Sequence, residues 1–373
     1  MRKWIKRISA ALGLSLVVAL GVLAVVMSRD TPCRAAEDAR GAAADGPVMS
    51  AAVRRCYGPP SVLTIESIAR PVLADDQVLV KVRAAGLNPL DWHRIRGTPY
   101  VMRIGEGLGT PSDVRLGIDF AGTVEAVGKA VTRFRPGDDI FGGRSGALAE
   151  YVAVREGGSV AAKPANISFE QAGGVYVAAI TALQALRDRA AVQPGQKVLI
   201  NGASGGVGTF AVQIAKWLGA EVTAVCSTRN VELVRSLGAD HVIDYKATDF
   251  TEGGARYDVI MDNVANRPIK DIRRVLAPGG KYLVIGGGGP DANPWVGAFL
   301  APLKAYILSW FVGEDMGMFI SHASTADVET LARLMAEDKV RPVVDRQYPL
   351  AQAAQAMRYL EEGHARGKVI VLP

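Results

Sequence analysis

The stretch from Lys197 to Ala220 constrains this chain more than any other part of it. Lys197-Val198-Leu199-Ile200-Asn201 is an apolar run of strand length that passes directly into Gly202-Ala203-Ser204-Gly205-Gly206-Val207-Gly208 and then into a helix-length segment. Counted from Ala203, the spacing is A-x-G-x-x-G, the dinucleotide fingerprint with alanine at its first position. Gly205 removes a side chain where backbone must approach a pyrophosphate, and Gly208 lets the helix lie close on the strand. Phosphates then sit at the helix N-terminus, where free N–H groups and the positive dipole end favour anions. A glycine-rich turn without function is the alternative, and the order strand, turn, helix, strand argues against it.

The rhythm around this stretch is that of a doubly wound α/β sheet. Strands are expected at Lys197 to Asn201, Glu221 to Cys226, His241 to Asp244, Tyr257 to Asp262 and Lys281 to Ile285, with helices at Val207 to Leu218, Asn230 to Leu237 and Ile269 to Leu276. Before it, from Met49 to about Ala153, short alternating runs broken by Gly and Pro predict a strand-rich domain. After it, Ala326 to Pro373 reads as two helices, an extended segment and a final strand, Lys368 to Leu372, able to return to the first domain. The expected division is an N-terminal segment over 1–30, a flexible linker over 31–48, a catalytic domain over 49–170, a dinucleotide domain over 171–312 and a completing segment over 313–373.

Length and charge set outer limits. At 373 residues and 49% hydrophobic the chain suits two globular domains. Its +6 charge is scattered among 37 acidic residues, which gives no nucleic-acid arm. Cys33, Cys56 and Cys226 show no metal-type spacing and are odd in number, so they read as separate thiols. Arg2, Lys3, Lys6 and Arg7 precede Ile8 to Met27, twenty residues without a charge, close to the ~20 that span a bilayer as a helix. That pattern predicts a single N-terminal membrane anchor, a cleaved signal peptide being the alternative. Positive residues ahead of the span favour the N-terminus inside and the folded domains outside the cytoplasm, whereas reduced dinucleotides are made within it, so both sides of the membrane are carried as expectations. The apolar segment Trp295 to Val312, with Lys304 as its only charge, reads as a helix buried at a domain or homodimer interface, or as a membrane-surface patch.

Cofactor choice turns on the end of the second strand. NAD enzymes place an acid there for the ribose 2′-hydroxyl; this chain has Val225-Cys226-Ser227-Thr228-Arg229. Hydroxyls beside an arginine suit a 2′-phosphate, and NADPH is the expected cofactor.

Pieces spread along the chain carry a resemblance: Ala84-Ala85-Gly86-Leu87-Asn88-Pro89-Leu90-Asp91-Trp92, Leu116 to Gly122, Pro136-Gly137-Asp138, Ala203 to Gly208 and Arg366-Gly367-Lys368-Val369. From Met49 onward the chain resembles the medium-chain dehydrogenase/reductases, in their zinc-independent quinone oxidoreductase (zeta-crystallin-like) branch. The resemblance implies a GroES-like β-rich domain interrupted by a Rossmann domain. Zinc-dependent relatives carry Cys and His ligands where this chain has Asn88 and Ile118, so no metal is expected. It implies that Ser204, Gly206 and Val207 contact the phosphates, Ser227 and Tyr245 the adenosine end, and Asn263 the nicotinamide side. Asn88 and Asp91 would line the cleft, Asn88 as a donor to a developing oxyanion. Tyr57, His93 and Tyr100 are candidate proton donors. Without a metal, the acceptor must already be electron-poor: a quinone or an α,β-unsaturated carbonyl. A silent NADPH-binding sensor or assembly partner, and a zinc-free alcohol dehydrogenase-like enzyme, are the alternatives.

Overall fold

A computed structural model describes residues 21–33, 46–289 and 292–373. Alternation around Val78 to Val82 produces the central strand of the first unit: Val78, Val80 and Val82 are buried, while Lys81 and Arg83 stay at the surface. Strands β1 (Val48–Arg54) and β2 (Leu63–Ala69) form an antiparallel pair. Strands β3 (Gln77–Gly86), β4 (Asp119–Val127), β5 (Asp139–Gly143), β6 (Tyr151–Arg155) and β7 (Val160–Ala162) build an antiparallel sheet in which β3 pairs with both β4 and β6.

The second unit is parallel throughout. Strands β8 (Lys197–Asn201), β9 (Glu221–Cys226), β10 (His241–Asp244), β11 (Tyr257–Asp262), β12 (Leu276–Val284) and β13 (Asp315–Met318) lie in the order β10-β9-β8-β11-β12-β13. Val198, Leu199 and Ile200 of β8 are all fully buried, as a strand covered on both faces requires. The order reverses at β8, and the helix Gly206–Trp217 begins just beyond that strand's carboxyl end. Open α/β sheets bind ligands at this switch point. The α/β class, a Rossmann sheet beside a β-rich domain, is as the sequence indicates.

The chain then returns. Strand β14 (Val344–Pro349) lies parallel to β15 (Lys368–Leu372), and β15 joins β3 through Ile370 opposite Gly86 and Val371 opposite Ala85. The return starts later than the expected boundary at 312. Strand β13 pairs with β12, and the helix Thr325–Ala336 packs Val328, Leu331, Leu334 and Met335 into the core shared with Phe210 and Ile214. An amphipathic helix goes wherever its apolar stripe finds cover, and here the cover is the parallel sheet's helical layer.

Most of the apolar run Ile8 to Met27 and most of the linker expected over 31–48 lie outside the described residues. Residues 21–28 are helical, and among the described residues no helix is long and apolar enough to cross a membrane. Two parts of the 31–48 stretch correct the linker reading. Thr31 Oγ1 donates to the Gly109 carbonyl at 2.7 Å, and Val48 already belongs to β1. The thiol reading needs correcting too: Cys33 is disulfide-bonded to Cys56 across a separation of 23 residues, and Cys226 is the free, buried cysteine.

Three buried or nearly buried arginines organise this corner. Arg103, 1% exposed, donates to the carbonyls of Met27 (2.9 Å), Arg29 (3.1 Å) and Gly97 (2.8 Å) and to Asp30 Oδ1 (2.7 Å). Arg54 and Arg94 share Glu106, at 2.6 and 2.9 Å. Burial, with Arg94 alongside, holds Arg54 below the usual arginine range. Glu106→Ala therefore leaves a fully buried guanidinium without its counter-charge and is expected to cost about 3 kcal/mol, read as a lowered urea midpoint at unchanged slope.

Candidate active site

The glycine turn does three separate jobs. Gly202 adopts φ +73°, a left-handed conformation that favours glycine, and starts the turn immediately after β8. At Gly205 a Cβ would find nothing closer than the Gly202 carbonyl at 3.5 Å, so the space over the turn is open. At Gly208 it would stand 2.2 Å from that same carbonyl, which ties this glycine to helix-on-strand packing. Ala203 is fully buried and donates its N–H to the Val225 carbonyl. No side chain caps the helix at Gly205; the Gly206 N–H faces the Gly367 carbonyl across the bridge to the return strand, and the Val207 and Gly208 N–H groups are the ones a helix start leaves for a ligand.

The expected adenosine end gathers at the edge of the same turn. Asn230, 5% exposed, donates through Nδ2 to Ser204 Oγ (2.9 Å) and to Ser227 Oγ (3.2 Å), bringing both hydroxyls together, while its Oδ1 has no partner. Arg229 is exposed and donates to the His364 carbonyl at 2.6 Å, in the segment whose Gly367 N–H bonds the Ser204 carbonyl of the turn. Tyr245 is half-exposed at the end of β10. Thr228 is turned away: its hydroxyl donates to Asp244 Oδ2. At the opposite side, Asn263 Nδ2 donates to the Asn201 carbonyl at 2.8 Å and leaves Oδ1 buried and unpartnered. Asp262 fixes the loop that carries it by accepting from Val264 N, Ala265 N, Asn201 Nδ2 and Tyr282 Oη. An open glycine turn, an uncapped helix start and two orphaned amide oxygens fit a dinucleotide's phosphates and polar ring substituents.

Asn88 and Asp91 are placed differently from expectation. Both are buried, at 2% and 0% exposure, rather than lining an open cleft. Asp91 Oδ2 accepts the Asn88 N–H at 2.8 Å and so closes the start of the helix Pro89–Arg96. The Asn88 side-chain oxygen is taken by the ammonium of Lys368, which also donates to the Leu87 carbonyl (2.9 Å) and to Asp119 Oδ2 (3.3 Å). Asp119 in turn accepts the Val177 N–H. Burial raises the carboxyls of Asp119 and Asp91 above the usual range, that of Asp91 to about 6. The Asn88 donor, Nδ2, faces the Gly86 carbonyl at 3.5 Å and the Asp119 carboxylate, so both ends of the amide are engaged within the protein. Two of the candidate proton donors are engaged through a polar atom and the third is held through its ring. Tyr57 donates to the Gly107 carbonyl, His93 Nδ1 meets the Thr98 carbonyl, and the Tyr100 ring stands edge-on to Trp295.

Gly202, Asn230, Asp119 and Lys368 are the residues that motif reasoning leaves without a role. Gly202 is flagged by its place directly after a strand, whereas Asn230 and Lys368 act only through the folded contacts.

Comparison with known proteins places the chain in context. Residues 74–165 match the alcohol dehydrogenase GroES-like domain family, and residues 237–371 match the family described as zinc-binding dehydrogenase. A trans-enoyl reductase, pgmF, from Aspergillus terreus is 38% identical over 318 residues, covering 80% of this chain and 87% of that protein. An NADPH-dependent alkenal/one oxidoreductase, chloroplastic, from Arabidopsis thaliana is 35% identical, covering 87% and 80%. The solved quinone oxidoreductase of Coxiella burnetii superposes with a TM-score of 0.75 at 29% identity, covering 88% of this chain and all of that one.

The residues present do not fit the zinc that one family description implies. Position 118 is an isoleucine, Asn88 offers an amide, and the Lys368 ammonium already supplies a positive charge between Asn88 and Asp119. Among the described residues no group of three His, Cys, Asp or Glu side chains could hold a metal ion.

Gly208→Ala forces a methyl into the Gly202 carbonyl and is expected to weaken dinucleotide binding about tenfold or more, a loss of roughly 1.4 kcal/mol, measured by titration of protein fluorescence. Asp91 gives a pH signature. Its folded pKa of about 6 lies above the ordinary 3.8, so its stabilising contribution is complete below pH 3.8 and lost as pH rises through 6. Asp91→Asn should flatten that dependence, worth about 3 kcal/mol in the parent, in denaturation curves taken across this range.

Proposed function

The chain belongs to the medium-chain dehydrogenase/reductase superfamily, in its quinone oxidoreductase branch, and on that footing we propose that it reduces a quinone or an α,β-unsaturated carbonyl with NADPH, without a metal. The observation carrying this reading is the Lys368 ammonium bound to Asn88 and Asp119, where a zinc enzyme would need ligands. Without a Lewis acid to polarise an ordinary carbonyl, the acceptor must be electron-poor in its own right. The names of the relatives, an enoyl reductase and an alkenal/one oxidoreductase, point to the same acceptor class.

When bound, the dinucleotide supplies the hydride. The chain's own residues position and discriminate. The open turn at Gly205 and the uncapped N–H groups of Val207 and Gly208 receive the pyrophosphate. Asn230 ties Ser204, on the phosphate side, to Ser227 at the adenosine end, beside Arg229 and Tyr245, where an arginine distinguishes a ribose 2′-phosphate from a hydroxyl. Asn263 presents an unpartnered acceptor oxygen on the nicotinamide side. For an enone, the β-carbon would be the acceptor of that hydride, and, with the candidate side-chain donors engaged elsewhere, water would supply the proton to the α-carbon. The net change is enone plus NADPH plus a proton to saturated carbonyl plus NADP⁺.

The test is NADPH oxidation that depends on added enone or quinone and is unaffected by EDTA. Activity abolished by EDTA and restored by zinc would overturn the reading. Arg229→Ala is expected to raise the KM for NADPH about tenfold while leaving that for NADH unchanged, matching the loss of one charge-assisted contact. An unaltered preference for NADPH would remove Arg229 from the phosphate site.

A further inference from the structure

Three apolar surfaces that are remote in sequence meet at one corner of the molecule. The first is the end of the uncharged N-terminal run, where Val22, Leu23, Val25 and Val26 are exposed. The second is the loop after the helix Pro89–Arg96, exposing Val101, Leu108 and Ile104, the last at 64%. The third is Trp295 and the helix Leu300–Ser309 with the residues just after it, where Trp310 is 66% and Phe311 78% exposed.

Direct contacts join the three. Arg103 binds the carbonyls of Met27 and Arg29 while its guanidinium lies 4.7 Å from the Tyr100 ring centre. Tyr100 N donates to the Pro294 carbonyl at 2.8 Å, and its ring packs edge-on against Trp295 at 4.9 Å. The Cys33–Cys56 disulfide adds a covalent tie between the N-terminal segment and the same domain. Single exposed hydrophobics need no explanation, but three exposed apolar segments tied to one corner by these contacts mark an interaction surface.

The helix Leu300–Ser309 is apolar on both sides. Ala305, Leu308 and Val312 join the core beneath it, while Leu303, Tyr306, Ile307, Trp310 and Phe311 face outward with Lys304 as the only charge from Trp295 to Val312. Aromatic residues with one polar atom, such as Trp295, Tyr306 and Trp310, suit a boundary between hydrocarbon and water.

We propose that this band rests on a lipid bilayer, into which the uncharged run that starts at Ile8 partitions as far as Val26, ahead of the buried Met27. What selects lipid over a second copy of the chain is the fixed attachment. A twenty-residue sequence without charge ends at this corner and is clamped there by Arg103 and the disulfide, so whatever surrounds that sequence also meets the band. Cover by another copy would account for the helix face alone. The inference does not depend on which reaction the enzyme performs.

The experiment uses the full chain reconstituted in phosphatidylcholine vesicles, with and without bromine on the acyl chains. Subtracting the emission of Trp310→Phe from that of the parent isolates Trp310, and Trp217→Phe supplies the same difference for a tryptophan on the far unit's helix. The proposal expects Trp310 emission to be lost in brominated vesicles and Trp217 emission to be kept. Equal Trp310 emission in both vesicles overturns it. So does Trp310 shielding that varies with protein concentration at fixed lipid, which would assign the face to a second copy.

Discussion

The Lys368 ammonium is held by three groups from two separate parts of the chain: the Leu87 carbonyl and Asn88 amide oxygen just after β3, and the Asp119 carboxylate at the start of β4. With 3% of its side chain exposed, it has little water to fall back on, and an amine in that position is tolerable only when its donors are satisfied. One residue earlier, the Gly367 N–H donates to the Ser204 carbonyl in the glycine turn. The last strand is thus secured to the β-rich sheet by a buried charge and to the dinucleotide turn by its backbone. Both domains are referenced to the same short segment, and a shift of that segment would move the turn and Asn88 together.

This arrangement explains why part of the molecule is legible in the sequence and part is not. The β8 strand, glycine turn and helix are local, and the alternation of apolar strands with amphipathic helices dictates the parallel sheet around them. The role of Asn88 is the opposite case. Its neighbours in sequence suggest a cleft-lining amide, yet its oxygen is claimed by an ammonium 280 residues away. Asn230 is similar, an ordinary polar residue in the sequence that becomes the bridge between Ser204 and Ser227 once β8 and β9 lie side by side. The late boundary of the dinucleotide domain has the same origin. Strand β13 is short and its pairing with β12 is non-local, so neither its period nor its flanks announce it.

Charge placement within the core follows a consistent rule. Glu106 is shared by two arginines, Asp119 by an ammonium and a backbone N–H, and Asp262 by four donors. Asp91 is the exception: one oxygen closes a helix and the other has no partner, and burial therefore lifts its proton affinity toward neutral pH. A carboxyl in that state sits next to the Lys368 cluster, which makes the β-rich side of the site the part whose charge state responds to mild acidity.

Arg103 has a practical implication for anyone preparing the catalytic unit alone. Beginning the chain at β1 would seem a harmless way to discard an oily leader. It would strip the guanidinium of the Met27 and Arg29 carbonyls and of the Asp30 carboxylate, leaving it the carbonyls of Gly97 and Arg96 and the faces of Tyr57 and Tyr100. Cys56 would lose its disulfide partner in the same cut. Residues 27–33 behave as a plug for the domain they precede, and a trimmed protein would carry an open, positively charged socket in its place.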